Sequence, residues 1–318
     1  MSAAGASRLS RRALLVGVGA AVASCSKKEP PPSVVPPASA SVAPLDAGMR
    51  GSSRLVTMTF EADAGGPQTA AVLVPTWGPE GTRFPVVVAL HGRGEALKGP
   101  DRGGFGWPRD YALDHAIERI ALPPLTSADL EGFVDEARLA QMNADLASHP
   151  FGGVIVACPY VPDLDLRTFK DMRAYGKWIV ETFLPRVRRE TPAIASIEAT
   201  GIDGVSLGGA TALRVGFSFP DAFGAIGALQ PAIAEDQAQE WTDLARYARK
   251  KRPSLALRLT TSHDDYYNLA ITRLSQAWRA GGVEHDFADV PGPHDYAFNR
   301  GPGAYELLAW HDRVLRRK

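Results

Sequence analysis

A serine set among glycines, a later pair of aspartates and a histidine behind a glycine and a proline are the residues here whose types and spacing suit nucleophilic chemistry. The serine is Ser206, in Gly204-Val205-Ser206-Leu207-Gly208-Gly209, between an apolar stretch ending in Ile202 and the helix-like run Ala210 to Phe217. Such a G-x-S-x-G run reads as a nucleophile elbow: the serine occupies a strained strand-to-helix turn, and glycines stand where a β-carbon would collide. The turn lifts the hydroxyl out of the fold, beside a helix N-terminus that favours developing negative charge. With 31 glycines in the chain, the motif alone also fits a plain strand-to-helix turn. What raises it above that is chain order, because Asp265 and then His294 follow the serine.

A serine hydroxyl needs a base, an orienting acid and donors for the oxyanion. His294, in Pro291-Gly292-Pro293-His294-Asp295-Tyr296, follows a predicted strand over 284–290 and precedes a C-terminal helix around 304–315, which places it in a loop at the sheet edge. Imidazole, with an ordinary pKa of about 6.5, can take the serine proton and return it to a leaving group. Of the seven histidines, His115, His149, His285 and His311 fall in apparent helices or at segment ends, where surface roles are expected. Ser262-His263-Asp264-Asp265 offers two adjacent carboxylates, of which one can face the base. Asp265 is preferred, because its spacing to Leu274 and Trp278 suits a following amphipathic helix. No second cluster with ligand spacing accompanies His263 and its neighbours, so no metal site is expected.

The oxyanion donors are expected to be the amide of Leu207, next to the nucleophile, and that of Arg93 in His91-Gly92-Arg93-Gly94-Glu95, the loop after an apolar strand. His91 is read as a prop for this loop. The nearby Gly103-Gly104-Phe105-Gly106-Trp107 either lines a substrate pocket or is a solvent loop with a packed aromatic.

The elements that must position these residues are legible as hydrophobic runs. Residues 54–60 and 70–75 predict an antiparallel pair around the turn-rich 63–67. Short apolar runs at 85–90, 154–157, 199–202, 225–229 and 255–259 predict strands buried on both faces. Helical spacing appears over 169–189 and 269–280, and the alternation implies a mostly parallel sheet covered on both sides. From 109 to 150 the connection is long, with an amphipathic pattern at Leu130, Phe133, Val134 and Ala137 behind the capping candidates Ser127 and Asp129. It is either a roof over the site or a sheet-covering helix with a long lead-in.

His91-Gly92-Arg93-Gly94, Gly204 to Gly209, Phe219-Pro220-Asp221-Ala222-Phe223-Gly224 and Gly292-Pro293-His294-Asp295-Tyr296 together resemble the esterase branch of the α/β-hydrolases that includes enterochelin-type and feruloyl-type esterases. The resemblance covers roughly residues 85–316. It implies an α/β-hydrolase fold, a triad mapping to Ser206, Asp265 and His294, and no cofactor. The chain departs from the pattern at Pro293, where that branch often has glycine, and in the long segment after Trp107.

The first 24 residues read as an export signal: Arg11 and Arg12 precede the apolar run Ala13 to Ala23, which is too short to span a bilayer. Val22-Ala23-Ser24-Cys25 resembles a lipobox, so Cys25 is the expected lipidated N-terminus, with cleavage at an ordinary signal-peptidase site as the alternative. Residues 25–50 are rich in proline, alanine and serine and predict a tether, leaving 51–318 as a single catalytic domain. Cys158 is then the one remaining cysteine, so no internal disulfide is possible, and its place at the end of an apolar run predicts a buried, inert thiol. Lys plus Arg equals Asp plus Glu at 35 each, and loss of Arg8, Arg11 and Arg12 with the signal leaves a mildly acidic mature chain. That balance argues against nucleic acid as a partner.

The reading is a carboxylic ester hydrolase acting through an acyl-enzyme on Ser206, on a small-molecule or carbohydrate ester, held to the cell envelope by an N-terminal lipid alone. Acyl transfer to an alcohol uses the same residues, and peptidase activity stays open. A non-catalytic surface-binding lipoprotein on a hydrolase fold is the alternative from another class.

Overall fold

The computed structural model describes residues 49–61, 67–163 and 169–316; the expected signal segment, Cys25 and nearly all of the tether lie outside the described residues. Two β-branched and aliphatic runs, β1 (Ser53–Phe60) and β2 (Gln68–Pro75), pair antiparallel from Ser53 opposite Pro75 to Phe60 opposite Gln68. β3 (Val86–Leu90) leads into the short α1 (Arg93–Ala96). The connection that follows contains α2 (Leu113–Ala121) and α3 (Glu136–Ser148), and leads to β4 (Ile155–Cys158). Next come α4 (Phe169–Trp178), a wide π-type turn over Ile179–Phe183, α5 (Leu184–Glu190) and β5 (Thr200–Gly204). α6 (Leu207–Ser218), β6 (Ala225–Leu229), α7 (Ala238–Lys251), β7 (Ala256–Asp264) and α8 (Asn268–Ala280) continue the alternation. β8 (Asp286–Pro293), the one-turn α9 (Tyr296–Phe298) and α10 (Ala304–Arg316) complete the described chain.

The eight strands form one sheet in the order β1-β2-β4-β3-β5-β6-β7-β8, parallel from β4 to β8 and antiparallel at β1 and β2. Alternation along each strand divides the core. Val86, Val88 and Leu90 face a layer containing Tyr175, Ile179, Leu213 and Trp278, while Val87 and Ala89 face one containing Leu113, Ile117, Leu308 and Trp310. Because both faces are covered, the central strands read as unbroken apolar runs.

The chain crosses from β3 to β4 on one side and returns past β3 to β5 on the other. In open parallel sheets, such a reversal leaves a crevice at the carboxyl ends of the two central strands, where ligands bind. The loops after β3 and β5 meet there.

The structure revises the reading of residues 127–137. Thr126, rather than Ser127, caps a single 3₁₀ turn over Ser127–Leu130, in a reciprocal box with Asp129. Glu131 and Gly132 then take φ of 54° and 81°, which a helix cannot include, and α3 starts only after Asp135 accepts from the Arg138 amide. Leu125, Leu130 and Leu146 pack in the same core layer as Leu308, so this segment mainly covers the sheet face. Phe133 leans toward the base loop, where a β-carbon on Gly292 would lie 3.4 Å from its ring.

Candidate active site

Ser206 directly precedes α6, separated from β5 by Val205, with φ 57° and ψ −117°. A side chain at positive φ is strained and is held only by its surroundings. Here Ser206 N donates to Leu229 O at 3.0 Å, and Ser206 O accepts from the amides of Ala210 and Ala232. The turn is tight enough to exclude β-carbons: one on Gly208 would lie 2.3 Å from Leu90 O, and one on Gly204 2.5 Å from the Gly208 backbone.

His294 follows β8, and its Nε2 lies 3.0 Å from Ser206 Oγ. Its Nδ1 lies 2.8 Å from Asp265 Oδ1, so Nδ1–H donates to the carboxylate and Nε2 is left to accept from the serine hydroxyl. Asp265, in the turn between β7 and α8, is buried, and the Tyr267 amide and Thr261 hydroxyl donate to its two oxygens at 2.9 and 3.0 Å. Its neighbour Asp264 ends β7 opposite Pro293 and is exposed, so the two carboxylates are separated by the change from strand to turn. Three residues spread over 88 positions thus form one hydrogen-bonded line.

As first residues of α1 and α6, Arg93 and Leu207 have amides without an intrahelical acceptor. Their loops touch: a β-carbon on Gly92 would lie 3.8 Å from Ser206 Cβ. The Arg93 side chain points away into solvent and pairs with Asp163 through Nε and Nη2 at 3.0 and 3.1 Å. His91 is buried, donates from Nδ1 to Gly92 O at 2.9 Å and accepts at Nε2 from the Val161 amide at 2.9 Å. Burial lowers its pKa to about 4, so it stays neutral with both nitrogens engaged, as a prop must.

Several contributors had no role in the sequence reading. Gln230, at φ 43°, donates from Nε2 to Ser262 Oγ at 2.6 Å and to Pro293 O at 2.9 Å, tying β6 to the residue before His294. Tyr266 lies tilted against the His294 ring at a centroid distance of 4.2 Å, and Tyr267 meets it edge-on at 5.5 Å. Glu95 is buried beneath the loop after β3. Its placement directly behind the Gly92–Gly94 pair was the available signal, since a charged residue in a tight apolar turn needs partners. In the glycine-rich run Trp107 is fully buried in the core against Tyr111, and Gly103, Gly104 and Gly106 are buried as well, so the run is no solvent loop.

Elsewhere, burial pushes the Cys158 thiol far up, which makes it unreactive. A cavity of about 690 Å³ between α3, α10 and the start of β8 is lined by Met142, Arg258, Glu306 and Trp310 and by none of Ser206, Asp265 or His294. Among the described residues no helix is long and apolar enough to cross a membrane, and no cluster has metal-ligand geometry.

No protein-family model matches the sequence, and no curated protein matches it. Solved structures do. A ferulic acid esterase is 18% identical over 83% of this chain and 99% of its own, with a TM-score of 0.60. S-formylglutathione hydrolase of Staphylococcus aureus is 17% identical over 82% and 98%, with a TM-score of 0.52. The enterobactin esterase of Shigella flexneri is 14% identical over 86% of this chain and 61% of its own, at 0.53. The chain has the α/β-hydrolase fold.

Proposed function

We propose that the chain is a serine esterase that cleaves a carboxylic ester through an acyl-enzyme on Ser206. The observation that carries this reading is the line Ser206 Oγ, His294 Nε2, His294 Nδ1, Asp265 Oδ1, with contacts of 3.0 and 2.8 Å. Ser206 Oγ attacks the ester carbonyl as its proton passes to His294 Nε2, and Asp265 stabilises the imidazolium without taking the proton. The carbonyl oxygen becomes an oxyanion, which the amides of Leu207 and Arg93 receive. Collapse breaks the bond to the alcohol oxygen, which leaves with the proton from His294. Water, deprotonated in turn by His294, attacks the acyl carbon and frees Ser206. Each of these groups belongs to this chain.

The reading draws support from the fold neighbours, which bear the names ferulic acid esterase, S-formylglutathione hydrolase and enterobactin esterase. A small ester is the substrate class that follows from them. The test is reaction with a fluorophosphonate, which needs an activated serine and no knowledge of the substrate. Labelling at Ser206 that vanishes in Ser206→Ala is expected; absence of labelling in folded wild-type protein overturns the reading.

We also propose that residues 1–24 are an export signal, that Cys25 is lipidated and that residues 25–50 tether the catalytic domain of residues 51–318 to the cell envelope. Val22-Ala23-Ser24-Cys25 behind an apolar run supports this. Mass spectrometry of membrane-extracted protein should find a diacylglycerol-modified Cys25 as the first residue, and an unmodified chain beginning elsewhere refutes it.

A further inference from the structure

Glu95 is 1% exposed, one of the most deeply buried carboxylates of the described chain, yet it lies outside the line from Ser206 to Asp265. It is met on both oxygens. Tyr296, two residues after His294, donates its hydroxyl to Glu95 Oε1 at 2.5 Å, and the Tyr111 hydroxyl donates to Oε2. Lys98 Nζ stands 3.5 Å from Oε1 and is drawn off toward Asp110 at 3.0 Å. The same Tyr111 oxygen accepts the amide of Gly92 at 3.2 Å. Burial and the nearby Glu95 push the Tyr111 phenol well above its ordinary value, which keeps it a donor to the carboxylate.

This arrangement is built into the loop after β3. A β-carbon on Gly94 would lie 2.9 Å from the Tyr296 hydroxyl, so glycine there is what lets Tyr296 reach Glu95. A β-carbon on Gly92 would sit 3.3 Å from Tyr111 Oη, 3.6 Å from Glu95 Oε2 and 3.8 Å from Ser206 Cβ, so the buried carboxylate and the serine flank one point of the loop.

The consequence falls on two successive peptide groups. Tyr111 holds the one that ends in the Gly92 amide, while His91 Nδ1–H holds the next through the Gly92 carbonyl at 2.9 Å. That second peptide is the one whose N–H belongs to Arg93. In a planar trans peptide the N–H points opposite to the carbonyl, so fixing one fixes the other.

We propose that Tyr111, through the buried Glu95 that it shares with Tyr296, is a positioning residue that aims the Arg93 amide at the oxyanion and ties that aim to the loop carrying His294. The proposal rests on the esterase reading. The bridge spends a desolvated carboxylate on geometry, and its return is an oxyanion donor that needs no reorganisation during the reaction.

Tyr111→Phe removes the hydroxyl and keeps the ring. On a short-chain aryl ester it should lower kcat by about 10- to 100-fold with little change in KM, up to the scale of losing one oxyanion donor. The readout that separates aim from mere structure is the ratio of rates on the oxygen ester and its thionoester, whose sulfur accepts hydrogen bonds poorly. That ratio should shrink in the variant. Tyr296→Phe, at a half-exposed ring that the fold tolerates more readily, should shift the ratio in the same direction by less. Equal losses on both substrates, leaving the ratio at its wild-type value, overturn the proposal, as does an unchanged kcat. Hydrogen exchange at the Gly92 amide separates the two layers of the argument. Faster exchange in Tyr111→Phe is expected from the bridge alone. Slow exchange there overturns the bridge, while fast exchange in a protein whose wild type fails to react with a fluorophosphonate overturns its catalytic purpose together with the esterase reading.

Discussion

Among the described residues two aspartate–histidine pairs are joined by a hydrogen bond, and only one of them faces a hydroxyl. His294 meets Asp265 at 2.8 Å in loops at the carboxyl ends of the strands, and its second nitrogen reaches Ser206. His311 meets Asp203 at 2.9 Å between α10 and β5, three residues before that same serine. There Arg258 binds the same carboxylate oxygen at 2.6 Å, and the remaining nitrogen of His311 faces the backbone of Gly201 with no partner. The His294 side chain is 9% exposed and that of His311 not at all. Burial lowers the His311 pKa despite the facing carboxylate, while Asp203, opposed by burial, is still held below its ordinary value by Arg258 and His311. The pairing of acid and imidazole is therefore common to both; a hydroxyl within reach of the second nitrogen and access to substrate belong to one.

The sharpest way to break this comparison is to remove the chemistry at one pair and leave the other. Ser206→Ala and His294→Ala should each lower ester turnover by about 10⁶, with the double variant hardly worse, because the base has value only when there is a serine proton to take. His311→Gln should leave kcat/KM of the folded protein close to wild type. Steady-state kinetics on an aryl ester check all four, and a collapse of kcat/KM in folded His311→Gln would falsify the division of roles. Next in size, Asp265→Asn should cost about 10⁴ in kcat by losing the tautomer that directs Nε2 at the serine. Asp264→Asn should do far less, since Asp264 is exposed at the strand end. The reverse order of the two would move the acid by one residue.

How much of this was legible depended on whether the deciding contact was local. The strand runs, the elbow and the order of Ser206, Asp265 and His294 are short-range patterns, and the sheet assembles them as alternation and chain order imply. The i, i+3, i+4, i+7 pattern through Leu130, Phe133, Val134 and Ala137 predicts a helix, but Gly132 inside it takes a positive φ that ends the turn. A helical position alone predicts a surface role for His311, yet Ala304, Leu308, His311 and Leu315 form one buried stripe of α10, a periodicity the sequence itself carries. His285 was likewise assigned to the surface but is partly buried, bonded to Ser275 Oγ at 2.8 Å and the Val283 carbonyl at 2.9 Å. What the sequence could not show was partnership at long range: Asp203 with His311 across 108 positions, or Glu95 with Tyr296 across 201. A buried charge announces that it needs a partner without saying which.

The interior pair should matter for stability where the other matters for rate. Asp203→Ala leaves the buried Arg258 without its carboxylate, and breaking such a buried pair costs about 3–5 kcal/mol. Denaturant unfolding monitored by tryptophan fluorescence should show the midpoint fall by that measure. A loss below about 1 kcal/mol, the size of a surface pair, would mean that Arg258 finds another acceptor.

The smallest expected effect is a change of slope. His311 is neutral in the folded protein because its pKa is lowered, whereas the unfolded chain takes up a proton below about pH 6.5. Below that pH the unfolded state binds the extra proton, so acid favours unfolding, and the stability due to this group is present above about pH 6.5 and lost as pH falls. One such proton is worth up to about 1.4 kcal/mol per pH unit. His91, with its pKa lowered to about 4, adds a slope of the same sign. Asp312, raised to about 6 by burial, adds one of opposite sign. Both are present in wild type and in His311→Gln, so the difference between the two proteins isolates His311, which Asp203 and Arg258 face. Unfolding free energies measured from pH 7.5 down to 5 should run parallel above about pH 6.5 and then diverge, with the wild type falling more steeply. Parallel curves through the whole range would show that His311 takes its proton in the folded state, held by Asp203 against the cost of burial, and the interior pair would then be an ion pair of the kind His294 forms only in passing.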